Sequence, residues 1–131
     1  MTEQLSNRCL AFMAGCTLVV LLTSSMPALA HHGWGGNEDK LSNVTGTVTT
    51  GVSLAGPHAT MKIKDAQGHI WDVTLAPPNR TQDSGVTEKL IPVGSTVMVH
   101  GHRNKNQNTY EIKVTKLTYN GKLYDVYPGM D

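Results

Sequence analysis

The chain has 131 residues, with eleven Lys and Arg against ten Asp and Glu, and only 5% aromatic residues. A balance this close to neutral argues against an electrostatic nucleic-acid binder, which would want a basic stripe. The length fits one small domain rather than several.

Residues 1–30 read as an export signal. Arg8 supplies a positive start, residues 9–22 form an apolar run, and Ala28-Leu29-Ala30 is a small-residue cleavage motif. The run stops at Thr23-Ser24-Ser25, short of the roughly 20 residues that span a bilayer. Cleavage after Ala30 is therefore expected, with a periplasmic product and no stable membrane insertion afterwards. The alternative is lipid attachment at Cys16, which Met13-Ala14-Gly15 precedes. Against it, Cys16 lies inside the apolar run, and residues 17–22 would be an odd start for a mature chain. Cleavage after Ala30 removes both cysteines, Cys9 and Cys16, together with Glu3 and Arg8, leaving ten basic and nine acidic residues. Neither disulfides nor thiolate metal ligands then remain.

Residues 31–42 are glycine-rich and polar, without apolar period, and read as an extended N-terminal arm. The barrel domain is expected over residues 43–131. Its first strand, residues 43–54, is rich in β-branched residues, with Val44, Val48, Val52 and Leu54 in step and Gly46 and Gly51 marking bends or bulges. After Gly56-Pro57 comes a second strand, residues 58–65, with Ala59, Met61 and Ile63 on one face. A turn at Asp65-Ala66-Gln67-Gly68 leads to a third, residues 69–75, with Trp71, Val73 and Leu75 inward. Residues 81–91 are the plausible helix, supported by Val86 and Leu90 at i,i+4 and opposed by Gly85. Strands follow at residues 95–102 and 109–119, with Val97, Val99, Ile112 and Val114 inward. Asn120-Gly121 is a two-residue hairpin signal that folds residues 122–127 back as a sixth strand.

Three strands, a short helical connection and two or three more strands give an all-β fold. Its order is that of a small OB-like Greek-key barrel of five to six strands. A sandwich is the competing architecture.

Ordered blocks then carry a resemblance: His31-His32-Gly33-Trp34, Thr45-Gly46-Thr47-Val48, Gly56-Pro57-His58-Ala59, Trp71-Asp72-Val73-Thr74-Leu75-Ala76-Pro77-Pro78, Gly94 with Val97, Gly101-His102-Arg103, and Tyr124-Asp125-Val126-Tyr127-Pro128. The chain resembles the small exported bacterial proteins known as domain of unknown function 6152, departing from them in Gly56, where Asn is more usual. The resemblance implies a bacterial envelope location and a β-barrel, and carries no activity with it.

Chemistry is concentrated in the six histidines. A mature N-terminal His31 offers its amine and its ring to one metal ion, and His32 offers a second mode through amine, amide and ring. Such nitrogen donors suit copper(II), with zinc and nickel less favoured. A free terminal amine has a pKa of about 7.7–8.0, so binding should weaken below neutrality. His58 is the favoured third ligand, its competing role being a turn-stabilising hydrogen bond. His100 and His102, two apart on one strand, are a secondary metal candidate; a solvated sheet face explains them equally, and Arg103 beside them disfavours a cation. His69 reads as merely exposed, Met61 and Trp71 as core, and Trp34 as a plug of the arm onto the barrel.

Residues 31–131 contain no Gly-x-Ser-x-Gly, phosphate loop or nucleophilic cysteine, so no catalytic residue is assigned. The leading expectation is a periplasmic metal-binding protein for copper handling or delivery, using His31, His32 and His58, with a donor or acceptor protein in the envelope as partner. The alternative is an envelope binding module for a protein, peptide or glycan. Oxidative copper chemistry ranks last, for want of an aromatic substrate surface.

Overall fold

The computed structural model describes residues 34–130. The cleavage motif, both cysteines, His31 and His32 lie outside the described residues. The elements are β1 (Ser42–Ser53), β2 (Thr60–Lys64), β3 (Ile70–Thr74), α1 (Pro78–Asp83), β4 (Thr96–Arg103), β5 (Glu111–Tyr119) and β6 (Lys122–Asp125).

β1 is antiparallel both to β2, along its second half, and to β4, along its first. β2 runs antiparallel to β3, and β4 to β5. The ring closes where β3 pairs in parallel with β5, Asp72 opposite Glu111 and Thr74 opposite Lys113. The result is a closed five-stranded barrel of OB type, with β6 added to β5 as an extra strand. Closure leaves few backbone groups unpaired at sheet edges.

Alternation explains the interior. Val44, Val48, Val52, Met61, Ile63, Val73, Val97, Val99 and Ile112 all turn inward and are buried. Each fully buried aliphatic side chain contributes about 1.5–3 kcal/mol. β5 breaks its own alternation. Between His100 and Gly101 of β4 the register skips Thr115 of β5, so Val114 and Thr115 are both buried and Leu117 follows them into the core. The extra residue is a β-bulge, and its carbonyl accepts from the Val126 and Tyr127 amides (2.9 and 3.3 Å).

Two local expectations are corrected. The helix is not at residues 81–91 but at Pro78–Asp83. Pro78 suits a first helical turn, where its missing N–H has no partner to lose. The Thr81 hydroxyl bonds the Ala76 carbonyl at 2.8 Å, and Gly85 ends the helix with φ +98°. Val86 still enters the core, but from the irregular segment that follows the turn at residues 84–85. Gly46 is not a bulge either: it pairs regularly with Val97, and the irregularities of β1 fall between Val48 and Ser53. A Cβ on Gly46 would meet the Lys64 carbonyl oxygen at 2.7 Å, so the residue is small to let β2 approach.

The β2–β3 turn is organised by Asp65. One carboxylate oxygen accepts from the backbone N–H of Gln67 and of His69, both at 2.9 Å. The other accepts from the Trp71 indole N–H at 2.9 Å and faces His69 Nδ1 at 3.1 Å. The indole bond, helped by the bonds from His69, holds the Asp65 pKa down from 3.8 to about 2 against the opposing effect of burial. Such a carboxylate adds stability above its unfolded pKa, and that contribution is lost as pH falls towards the folded one. The wild-type denaturation midpoint should therefore drop between about pH 4 and pH 2. Asp65→Asn should be less stable than wild type at pH 6 and flatter across that acid range. Parallel pH profiles for the two proteins would contradict this role.

Candidate functional site

Residues 34–38 of the segment expected as an extended arm are docked on the barrel. The Glu38 amide donates to the Arg103 carbonyl (2.9 Å), the Lys105 amide to the Gly36 carbonyl (3.0 Å), and Lys105 Nζ to the Gly35 carbonyl (3.1 Å). Asn37 is buried, forms a bridge with Asn104 and donates through Nδ2 to the His102 carbonyl at 2.8 Å. Gln107 Nε2 donates to the Glu38 carboxylate at 2.6 Å. Trp34 acts as the expected plug, meeting the His102 ring edge to face with centroids 5.3 Å apart and Tyr127 at 5.7 Å.

His102 is held from two sides. Its ring meets Trp34, and its Nδ1 lies 2.8 Å from the Glu38 carbonyl oxygen. A carbonyl only accepts, so Nδ1 is the nitrogen that donates to it. His100, two residues earlier on β4, is engaged through Nδ1 by the Asn43 side-chain oxygen. Arg103 does not crowd this pair as the sequence suggests. Successive strand residues point to opposite faces, and the Arg103 guanidinium sits 5.1 Å from the centre of the Trp71 ring. The cation opposite His102 in register is Lys113, whose ammonium lies 5.7 Å from the Trp34 ring centre.

His58 precedes β2 by two residues and is half-buried. The turn-stabilising bond weighed against a ligand role is not seen among the described residues, where its ring has no hydrogen-bond partner. His58 and the His100–His102 pair are not drawn into one cluster. Among the described residues, no group of three or more His, Cys, Asp or Glu is placed to hold a metal ion. His69 is more than exposed: it stacks on Tyr110 with ring centroids 4.1 Å apart and touches Asp65. The Asp65 centre passed unnoticed in the sequence, although Asp before a Gly turn with His and Trp following was its signal.

A groove of about 430 Å³ crosses the outer face of β2, β3 and β5. Thr60, Thr74 and the exposed Lys62–Asp72 ion pair line it, and Asn37 borders it from the docked arm. The exposed β2–β3 face is where barrels of this type hold ligands.

Similar solved structures include the ZRD-deleted mutant of TiaS in complex with agmatine, at 17% identity and a TM-score of 0.49, covering 66% of this chain and 26% of that one. The S. pombe Stn1-Ten1 complex matches at 16% identity and a TM-score of 0.45, covering 60% of this chain and 57% of that one. The chain thus spans about a quarter of the first of these and a little over half of the second. No curated protein matches the chain in sequence. One family model does, over residues 18–113, and the chain accordingly belongs to the family of unknown function DUF6152.

Proposed function

We propose that this is an exported, periplasmic protein that binds copper through a mature N-terminal His31, for metal handling or delivery rather than turnover. Zinc and nickel are the weaker competitors for the same nitrogen donors. His32 supplies a further donor from the chain start. The third imidazole comes from the barrel, which offers His58 and the pair His100 and His102. The partner is a metal donor or acceptor in the envelope. One observation supports the reading above all: Trp34, three residues after His31 in sequence, is docked on the barrel beside a histidine.

The test is the terminal amine. Protein processed to begin at His31 should bind copper(II) one to one, and a form carrying one extra Met before His31 should lose affinity at least tenfold. Binding should also weaken as pH falls below about 7.5, because the amine must lose its proton. Equal affinity of the two forms would overturn the amine-based site.

The groove over β2 and β3 favours a second reading, a binding module for a glycan or peptide. That reading expects the Lys62→Ala, Asp72→Ala double variant to lose its ligand on a glycan or peptide array while copper affinity is unchanged. An array signal equal to wild type would remove it.

A further inference from the structure

β1 parts from β2 at one end of the barrel. Residues 47–53 of β1 pair with β2, whereas residues 42–46 pair with β4 alone. The side so opened faces the β2–β3 turn across a pocket of about 290 Å³, lined by Ser42, Thr45, Asp65, Gln67, Trp71 and Arg103 among others. It shares no lining residue with the groove over β2 and β3.

The pocket holds one cation and one carboxylate, and among the described residues no ion pair joins them. Asp65 is already spent: its oxygens are engaged by Gln67, His69 and Trp71. Arg103 is not. A guanidinium carries five N–H donors and no acceptor. One Nη donates to the Gln107 carbonyl at 3.2 Å, and Nε is buried without a partner. The remaining Nη hydrogens meet no protein acceptor among the described residues. Trp71 holds the group in place, with the guanidinium carbon 5.1 Å from its ring centre. Ser42 and Thr45 bring hydroxyls and Gln67 an amide to the same walls. Donors therefore exceed free acceptors, and the excess is centred on a positive charge.

We propose that this pocket binds a small monocarboxylate, whose oxygens accept from the unengaged Nη hydrogens of Arg103. The planar fork of a guanidinium matches a carboxylate with two parallel bonds. Phosphate fits the same fork, but Asp65 stands on the pocket wall and stays ionised, its pKa held down to about 2. Arg103 neutralises one negative charge, and a second would face the Asp65 carboxylate uncompensated. The volume lies at the small end of ligand sites, which run from about 300 to 1,000 Å³, so the ligand is a few heavy atoms across. The site is independent of the copper reading and of the groove.

The experiment is an NMR titration of the protein with acetate, at constant ionic strength, following Arg103 Nε–H and the Trp71 indole N–H. Acetamide, neutral and of the same shape, and phosphate are titrated in parallel. Acetate should saturate both signals and bind at least about tenfold tighter than either comparison. Arg103→Lys keeps the charge but loses the fork, and should weaken acetate about fivefold or more. Should that variant fail to fold, contacts in the wild type decide instead: the acetate methyl protons should show nuclear Overhauser effects to the Trp71 ring. Shifts that never saturate, or that acetamide reproduces, would overturn the site and leave the pocket to water. Phosphate binding as tightly as acetate would overturn the ligand class. A folded Arg103→Lys of unchanged affinity, or acetate without contacts to Trp71, would overturn the placement at Arg103.

Discussion

Gly101→Ala should be among the most damaging single-methyl changes available in this protein. A Cβ at Gly101 would stand 2.0 Å from the Lys113 carbonyl oxygen and 2.7 Å from the Val114 Cα. Both are backbone atoms of β5, so no side-chain rotation relieves the clash. The close approach belongs to the bulge: β4 and β5 cross where the register skips Thr115, and Gly101 faces Val114 across the crossing. Overpacking a well-packed core costs typically 1–3 kcal/mol, and a backbone clash at barrel closure belongs at or above about 3 kcal/mol. Gly51→Ala is the control, because nothing lies within 4 Å of a Cβ there. Urea denaturation should show Gly51→Ala near the wild-type midpoint and Gly101→Ala far below it, or absent from the soluble fraction. A folded Gly101→Ala with an unchanged midpoint would mean that β4 and β5 can separate without cost.

The strands were legible because one physical rule governs them. Period-2 alternation from Val44 to Val52, and through Met61, Ile63, Trp71 and Val73, is what burial of one face demands. It named the core and, through strand order, the barrel. The rule is blind to a register skip: Leu117 breaks step with Ile112 and Val114 only because Thr115 is an extra residue, which depends on the facing strand. The helix was misplaced because Val86 and Leu90 have helical spacing, whereas Pro78 and Gly85 set the real limits. At the candidate site the sequence supplied the histidines but not their company. His102 meets Trp34 across 68 positions of chain because the residues after Trp34 return along β4. No local pattern encodes that contact. Arg103, read as a neighbour repelling cations from His102, points instead to the opposite face.

Trp71→Ala should cost about 3–5 kcal/mol, the range for removing a large buried aromatic. Trp71 is 5% exposed and serves three neighbours: Tyr110 at 5.3 Å edge to face, the Arg103 guanidinium at 5.1 Å, and Asp65 through the indole N–H at 2.9 Å. Removing the ring leaves a void between β3 and Arg103, whose Nε is buried without a partner among the described residues. Water reaching that Nε would offset a small part of the loss. Trp71→Phe separates the contributions, since it keeps a ring near Tyr110 and Arg103 but removes the donor to Asp65. The Trp71 bond is the largest cause of the lowered Asp65 pKa. Without it the Asp65 pKa rises towards its ordinary 3.8, so the carboxylate adds less stability near neutrality and has less to lose in acid. The gap in unfolding free energy between wild type and Trp71→Phe should therefore be widest near pH 6 and narrow as pH falls from about 4 towards 2, leaving only the packing difference. Denaturant titrations at several pH values measure that gap directly. A gap that stayed constant would assign the whole effect of Trp71 to packing and none to its bond with Asp65.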